Sequence, residues 1–312
     1  MTSALCIMGP TASGKTDLAL SLARQLPVEI INVDSAQIYQ GMEIGSGMPD
    51  KTNRAEIPHH LMDFLDPACA YSAAQFRLDA LKVMAQTVAR GKIPLLVGGT
   101  MLYFKALQQG LSPLPVSSPL VRHQLQQEAL STLYQRLEQV DAISAQRISC
   151  NDSQRIQRAL EIYAMTGKPM SYWLAQPKES VPDYQFINIG LMPLTTLRSE
   201  LHQRIEQRFD NMLAQGLISE VEQLRARGDL DLSKPALRAV GYRQVWRYLQ
   251  GEDDFIQMRE KAIAATRQLA KRQMTWLRSW PNLTIVDFKG DWRSFIKIAA
   301  QTKNNQVKGN SI

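Results

Sequence analysis

Residues 9–16, GPTASGKT, have types and a spacing suited to holding phosphate groups. They match G-x-x-x-x-G-K-T, in which glycines let backbone N–H groups approach phosphate oxygens closely. The helix expected after the loop directs its positive end at the same oxygens, Lys15 adds a charge, and the Thr16 hydroxyl can bind Mg²⁺. The predicted phosphate site comprises the following residues: Gly9, Pro10, Thr11, Ala12, Ser13, Gly14, Lys15 and Thr16.

Two signatures of nucleoside triphosphatases are missing from the sequence. Such enzymes usually end an apolar strand with an acidic residue for Mg²⁺, but IPLLV is followed by Gly98, Gly99 and Thr100. There is also no N-K-x-D motif for reading guanine. The nearest carboxylate at a predicted strand end is Asp34, in VDSAQIY. Because ligands of doubly wound sheets lie outside the carboxyl ends of the strands, we expect Asp34, Thr100 and the phosphate loop to face one crevice.

Five apolar runs predict the strands that must position these residues. The runs at 4–8 and 93–97 are continuously apolar, as in strands buried on both faces. The run VEIINV at 28–33 predicts a second strand with Asp34 and Ser35 at its carboxyl end. Two more candidate strands lie at 186–191 and 283–288. Since strands alternate with helical stretches, we predict an α/β fold, with a parallel sheet like that of P-loop NTPases flanked by helices.

Helical stretches are predicted from periodicity and capping residues. Leucines recur every fourth residue after the phosphate loop, and Pro27 should end that helix. Ser72 and Gln75 predict a capping box for a helix that extends to Arg90. A long helix is predicted near 254–280, and its basic residues at 267, 271 and 278 share one face.

The middle of the chain differs in sequence pattern from the segments on either side. Prolines punctuate residues 113–119, and the following stretch is helical in pattern with no strand-like run. We predict a helical insertion domain at 116–182, within a P-loop core domain formed by 1–115 and 183–300. The polar residues 301–312 are predicted to be a disordered tail.

Composition indicates a soluble globular protein, with 45% hydrophobic and 21% charged residues. Lys and Arg number 36 against 29 Asp and Glu, so the formal charge is +7, which suits a polyanionic partner without proving one.

Three cysteines without a C-x-x-C pair favour a reducing compartment and give no zinc pattern with the histidines. With no targeting segment or apolar run of membrane-spanning length, we expect a cytoplasmic protein.

GPTASGKT combines with four further stretches into a more specific pattern: VDSAQIYQGMEIG, PHHLMD, LLVGGTMLYFKAL and VGYRQ. Together they resemble the bacterial tRNA dimethylallyltransferases, or tRNA isopentenyltransferases (the IPP transferase family), across about residues 3–290. The resemblance implies transfer of a dimethylallyl group from dimethylallyl diphosphate to N6 of adenine 37, in tRNAs reading codons that begin with U. It implies Mg²⁺ as cofactor, and we expect a monomer.

The resemblance also suggests how individual residues serve this chemistry. Charge accumulates on the departing diphosphate, and Lys15, Thr16 and Mg²⁺ would stabilise it. Adenine N6 is a poor nucleophile, so Asp34 is predicted to accept a hydrogen bond from it and to take its proton as general base. By the same resemblance, Thr100 contacts the tRNA near the target base and Arg208 contacts the diphosphate, the alternative for Arg208 being a solvated helix surface.

Several stretches match family segments that touch tRNA. The predicted tRNA-binding residues are Asp34, Ser35, Ala36, Gln37, Thr100, Arg122, Gln154, Arg155, Ile156, Gln157, Arg158, Arg238, Ala239, Val240, Gly241, Tyr242, Arg243, Lys271, Arg272, Gln273, Met274, Thr275, Trp276, Leu277 and Arg278. Independently, residues 238–280 hold nine Lys or Arg against four acids, interleaved with Tyr242, Trp246 and Trp276 as packing or stacking surfaces. A solvated helix face is the alternative.

Two other functions are open from the residues alone. A P-loop kinase could phosphorylate a nucleotide or small alcohol, with the insertion as a lid and ATP bound through the motif. A non-catalytic RNA-binding protein could retain a vestigial loop, but this leaves the joint presence of Lys15, Thr16 and Asp34 unexplained. ADP release with candidate acceptors would distinguish the kinase.

Overall fold

The computed structural model describes residues 2–178, 180, 182–193 and 198–287. The chain divides into two compact units, one formed by Met1–Gln108 with Pro182–Ile312 and the other by Gln109–Val181. The predicted tail at 301–312, and Phe288 at the end of the last predicted strand, lie outside the described residues.

The described residues of the first unit form a six-stranded sheet in the order β3-β2-β4-β1-β5-β6, with every pairing parallel. The strands are β1 (Thr2–Met8), β2 (Val28–Val33), β3 (His59–His60), β4 (Ile93–Gly98), β5 (Tyr184–Met192) and β6 (Leu283–Asp287). The α/β fold class is confirmed. The edge strand β3 was not predicted, because two histidines carry no apolar pattern.

The helices follow in chain order. They are α1 (Lys15–Ala23), α2 (Lys51–Glu56), α3 (Ala73–Ala89), α4 (Met101–Gln109), α5 (Pro119–Gln126), α6 (Leu130–Val140), α7 (Ala142–Arg147), α8 (Ser153–Thr166), α9 (Met170–Ala175), α10 (Arg198–Ala214), α11 (Leu217–Ala226), α12 (Tyr242–Leu249) and α13 (Phe255–Arg278). A 3₁₀ turn at Ala236–Arg238 precedes α12. None of these helices is long and apolar enough to cross a membrane, a finding limited to the described residues.

Two predicted helix ends differ in detail. The regular part of α1 ends at Ala23, short of Pro27, although the Leu26 N–H still donates to the Leu22 carbonyl at 2.9 Å. The Ser72 hydroxyl caps α3 by accepting from Gln75 N at 3.0 Å. The reciprocal half of the predicted capping box is wrong, because the Gln75 side chain donates instead to Asp79 one turn later.

The central strands of the sheet are buried on both faces, which explains the continuous apolar runs of β1 and β4. Alternate residues of β1 enter two different clusters, Leu5 and Ile7 packing with α1 and Ala4, Cys6 and Met8 packing on the opposite face. Burying a large aliphatic side chain stabilises a fold by about 1.5–3 kcal/mol. The central strands are therefore fixed from both sides and hold their carboxyl ends in place.

The register of the sheet brings the carboxyl ends of three neighbouring strands together. Met8 at the end of β1 and Val33 at the end of β2 both lie opposite Gly98 of β4. A Cβ added at Gly98 would overlap the Val33 carbonyl, so only glycine allows this approach. The residues that follow these strands consequently start from one edge of the sheet.

The described part of the second unit contains α5–α9 and no strand. Its core is formed by side chains from four of these helices, among them Leu125, Leu137, Ala145 and Leu160. The unit starts at Gln109 and so earlier than the predicted residue 116. The stretch before α5 belongs to it because Pro115, Ser117 and Ser118 form hydrogen bonds with side chains of α8.

Candidate active site

The phosphate loop connects β1 to α1 in the geometry that its sequence predicts. Gly14 has φ 87° at the amino end of α1, where a side chain would be strained. The Lys15 ammonium donates to the Pro10 carbonyl at 2.7 Å and so folds back over the loop. The Ser13 hydroxyl is fully buried and has no hydrogen-bond partner among the described residues. An unsatisfied buried hydroxyl in such a loop is suited to an anion that supplies acceptor oxygens.

Burial controls the charge of Lys15. It lowers the pKa of the Lys15 ammonium to about 7, the Asp34 carboxylate opposes this shift, and the Arg208 guanidinium adds to it. Asp34 and Arg208 are therefore close enough to Lys15 for their charges to affect its pKa, and all three residues line one cavity. A diphosphate bound here would neutralise the repulsion between the two cations.

Asp34 and Thr100 meet at the ends of β2 and β4. The Thr100 N–H donates to the Val33 carbonyl at 3.1 Å, and the Thr100 hydroxyl accepts from Ser35 N at 3.0 Å. Asp34 Oδ1 accepts from Ala36 N at 2.9 Å. No described residue donates to Asp34 Oδ2, so this oxygen has acceptor capacity for a substrate amine.

A cavity of about 860 Å³ in the first unit is lined by the phosphate loop and Asp34, whereas Thr100 is not among its lining residues. It lies between the phosphate loop, Asp34, the loop after β2 and helices α10 and α13. Gln37, Arg208 and Gln273 are among its lining residues. This volume is within the range of about 300–1,000 Å³ that small-molecule sites occupy.

Arg208 reaches the cavity from α10. A Cβ added at Gly47 would overlap its guanidinium, so the Gly47 backbone lies directly against this group. Burial lowers the pKa of Arg208, while the carboxylates of Asp34 and Asp17 oppose the change. No described residue accepts a hydrogen bond from the Arg208 guanidinium, which leaves its donors available to an anionic ligand. The predicted contact between Arg208 and a diphosphate agrees with this position and stays a prediction.

Gln273 is buried at this cavity, beside the phosphate loop. It is only 8% exposed, its side-chain oxygen accepts from Thr11 N at 2.9 Å, and its amide donates to the Gly99 carbonyl at 2.9 Å. It thus connects α13 to both the phosphate loop and the end of β4. Its polar side-chain atoms are thus engaged within the protein, which is suited to a positioning role, and its contact with tRNA stays a prediction.

Several other residues of the segments predicted to bind tRNA are in the core. Tyr242 and Trp246 of α12 are 0% and 4% exposed, and Met274 and Leu277 of α13 are also buried. Core packing covers these side chains, so of the two predicted roles of Tyr242 and Trp246 the burial favours packing over stacking. Trp276 is 36% exposed and stays a candidate, with the Lys105 ammonium 5.5 Å from its ring centroid.

The basic residues of the carboxyl-terminal segment fall into two groups. Four of the nine form ion pairs: Arg259 and Arg267 with Glu206 of α10, Lys261 with Asp253, and Arg247 with Glu252. The remaining cations form no ion pair with any residue that the structure describes: Arg238, Arg243, Lys271, Arg272 and Arg278. Phosphate contacts are therefore expected from this second group.

In the second unit, two predicted tRNA contacts share one buried carboxylate that the sequence did not reveal. Glu161 of α8 is fully buried and accepts from Arg158 Nη1 at 2.7 Å and from Arg122 Nε at 3.2 Å. Ile156 is also buried, so it cannot contact tRNA directly, while Gln154 and Arg155 are exposed. Glu161 therefore fixes the orientation of the Arg122 and Arg158 guanidinium groups in this unit.

The residues present are suited to Mg²⁺ bound through substrate. Mg²⁺ keeps several waters and usually takes one or two protein ligands together with phosphate oxygens. Thr16 supplies a hydroxyl at the cavity, and the buried Ser13 hydroxyl lacks a protein partner in the described structure. Among the described residues no group of three or more His, Cys, Asp and Glu could hold a metal ion by itself.

Comparisons with known proteins agree with this arrangement. A family model described as IPP transferase matches residues 37–280, and one described as isopentenyl transferase matches residues 2–60. A tRNA dimethylallyltransferase from Paraburkholderia phymatum is 55% identical over 289 residues, which cover 90% of this chain and 90% of that protein.

Two solved structures are similar across nearly the whole chain. The tRNA isopentenylpyrophosphate transferase of Bacillus halodurans has a TM-score of 0.72 and 31% identity, with 100% of both chains covered. A eukaryotic dimethylallyltransferase acting on tRNA has a TM-score of 0.79 and 26% identity, with 99% of this chain and 80% of that chain covered.

Proposed function

The chain belongs to the IPP transferase family, and from this premise we propose that it transfers a dimethylallyl group from dimethylallyl diphosphate to tRNA. The acceptor is N6 of adenine 37 in tRNAs that read codons beginning with U. The products are N6-dimethylallyladenosine in the tRNA and free diphosphate.

One observation carries the proposal: a single cavity is lined by a phosphate-binding loop, by Arg208 and by Asp34. Among the described residues, no group accepts a hydrogen bond from the Arg208 guanidinium and none donates to Asp34 Oδ2. Lys15, Arg208 and the loop amides can hold a diphosphate, while Asp34 lies at the neighbouring strand end. An allylic diphosphate ionises readily if the charge on its leaving group is stabilised. The cavity therefore supplies cations on the leaving-group side and a base on the acceptor side.

The roles of the individual residues follow from this division. Lys15, Arg208 and the loop N–H groups bind the diphosphate and orient its bond to the prenyl carbon. Mg²⁺, held by Thr16 and phosphate oxygens, would supply further charge neutralisation. Asp34 Oδ2 accepts a hydrogen bond from adenine N6 and takes its proton as the new C–N bond forms, which typically contributes about 10²–10⁴-fold. The Thr100 hydroxyl accepts a hydrogen bond from Ser35 N and so holds the backbone next to Asp34 in place.

Prenyl transfer is favoured over a P-loop kinase. Strand β4 ends in glycine, not in a carboxylate for a nucleotide-bound Mg²⁺, and the relatives described above are tRNA prenyltransferases. The same relatives argue against a non-catalytic RNA-binding protein.

The direct test is mass spectrometry of A37 after incubation of unmodified tRNA with the protein, dimethylallyl diphosphate and Mg²⁺. We expect a mass increase at A37 matching one dimethylallyl group, and release of diphosphate. A parallel reaction with ATP should release no ADP. ADP release with a small acceptor, and no modified A37, would replace this proposal with the kinase.

A tRNA substrate supports a cytoplasmic location, which we include in the proposal. The predicted monomer also stays a proposal, and sedimentation of the free protein would test it.

A further inference from the structure

A partly buried hydrogen-bond cluster lies beside the cavity and has no role in the reaction as described so far. Glu220 of α11 accepts from three consecutive backbone N–H groups: those of Glu43 at 2.9 Å, Ile44 at 2.7 Å and Gly45 at 3.0 Å. The Tyr242 hydroxyl donates to the same carboxylate at 2.6 Å. It also accepts from the next N–H, that of Ser46, at 3.1 Å.

Four consecutive N–H groups of one loop are thus satisfied by two side chains from distant helices. We call residues 43–47 the clamped loop. A Cβ added at Gly45 would lie 2.6 Å from the Tyr242 ring and 2.7 Å from Leu217, so the loop is packed as well as hydrogen-bonded. Burial and the neighbouring Glu220 raise the pKa of Tyr242, which keeps its hydroxyl protonated as a donor.

The other side of the clamped loop contacts the groups that line the cavity. The Gly47 backbone lies against the Arg208 guanidinium. The Gln37 amide donates to the carbonyls of Ser46 and Gly47 at 3.3 and 3.1 Å. The loop itself lines the cavity together with the phosphate loop. A shift of the loop would therefore move the wall against which Arg208 rests.

We propose that Glu220 and Tyr242 are positioning residues for diphosphate binding, acting through the clamped loop on Arg208. The inference rests on the proposed function and reassigns Tyr242, whose predicted contact was with tRNA. Neither residue touches substrate. Together they fix the loop backbone so that the Arg208 guanidinium, which has no acceptor within the described part of the chain, faces the phosphate loop. This reduces the conformational entropy that the protein loses when the anion binds.

Glu220→Gln is the most direct single test of the proposal. It keeps the size and shape of the side chain and replaces one acceptor oxygen by a donor NH₂ group. Each carboxylate oxygen accepts from two donors, so either orientation of the amide faces two of them. We expect the KM for dimethylallyl diphosphate and the Kd for inorganic diphosphate to rise about tenfold. The KM for tRNA should change less than about twofold. Glu222→Gln, at an exposed position of the same helix, is the matched control.

Tyr242→Phe provides a second measurement that keeps ring packing and removes only the hydroxyl. It should raise the diphosphate Kd by about threefold or more, and its effect should be less than additive with Glu220→Gln, because both act on one loop. If Glu220→Gln fails to fold, Tyr242→Phe decides the matter alone.

The diphosphate Kd is measured by calorimetry and does not depend on turnover. An unchanged diphosphate Kd in Tyr242→Phe, or a rise in the KM for tRNA equal to that for dimethylallyl diphosphate, would overturn the inference. A lower melting temperature with wild-type Kd would also overturn it, because it would show a purely structural role. Failure of the proposed function would be recognised separately, by the absence of modified tRNA with the wild-type protein.

Discussion

At the scale of single residues, Asp34 combines one engaged and one available oxygen. Oδ1 accepts from Ala36 N and fixes the carboxylate, while Oδ2 has no donor among the described residues. Asn32 supports this turn by accepting from Asp34 N at 3.1 Å and donating to the Leu61 carbonyl at 2.9 Å. The base is therefore oriented before substrate arrives, as efficient proton transfer requires.

Asp34→Asn keeps this geometry and removes the base. We expect kcat to fall by about 10²–10⁴-fold while the Kd for tRNA stays within about twofold. Asp34→Ala should likewise lose transfer and retain tRNA binding. Single-turnover transfer and filter binding measure the two quantities, and an unimpaired kcat in either variant would remove Asp34 from the mechanism.

Lys15 gives the reaction a pH dependence with a definite sign. The pKa of its ammonium is lowered to about 7 by burial, so the neutral amine predominates in the free protein above that pH. Because the diphosphate prefers the charged form, kcat/KM for dimethylallyl diphosphate should be maximal below pH 7. It should fall about tenfold per pH unit well above this value. Lys15→Arg, whose guanidinium stays charged, should have lower activity without this decline, and a parallel decline would contradict the assignment.

At the scale of elements, α13 serves two environments with one helix. Gln273, Met274 and Leu277 face inward, where Gln273 ties the helix to the phosphate loop. Lys271, Arg272 and Arg278 are exposed on the other side. The helix thus connects a candidate tRNA surface to the substrate cavity through three residues of its last two turns.

Removing the exposed cations of α13 should weaken tRNA binding without changing its chemistry. Lys271→Ala and Arg278→Ala should each raise the Kd for tRNA and reduce the slope of log Kd against log salt by about one. Lys261→Ala on the same helix is the control, since its ammonium already pairs with Asp253. An unchanged salt slope in the first two variants would show that these residues are ordinary surface charges.

At the scale of the whole molecule, one buried carboxylate joins four elements of the first unit. Glu29 at the start of β2 is 2% exposed and pairs with Arg90 after α3, with Lys92 before β4 and with His60 of β3. The hydrogen bond from Arg90, helped by His60 and Lys92, lowers the pKa of Glu29 to about 2 despite its burial. The network lies at the amino ends of the strands, opposite the candidate site.

This network makes the free energy of unfolding depend on pH in the acidic range. The folded pKa is below the unfolded value of 4.5, so the stabilisation is present above pH 4.5 and is lost as pH falls toward 2. Glu29→Gln should lower the free energy of unfolding by about 2 kcal/mol at neutral pH and reduce its decline in acid. Urea denaturation across this range measures both effects. Glu56→Gln, which breaks the exposed pair with Arg24, should change little, and an equal effect would contradict the argument.

The phosphate loop, the strands before it and after it, and Asp34 were predictable because each depends on neighbours in sequence. Continuous apolar runs require a sheet covered on both faces, and parallel pairing then brings strand ends to one edge. The family resemblance added Arg208, whose place at the cavity agrees with that expectation. The sequence by itself thus determined the fold class and the anion-binding centre of the site.

Only the tertiary structure decided which residues support that centre. Gln273 meets Thr11 across 262 positions and Glu220 meets Glu43 across 177, and no local pattern encodes such partners. It also decided that Tyr242 and Trp246 are core residues, because the buried face of a helix is set by the elements packed against it. The phosphate-binding motif consists of adjacent residues and can be recognised from sequence. The burial and hydrogen bonds that orient it form only when distant segments come together in the fold.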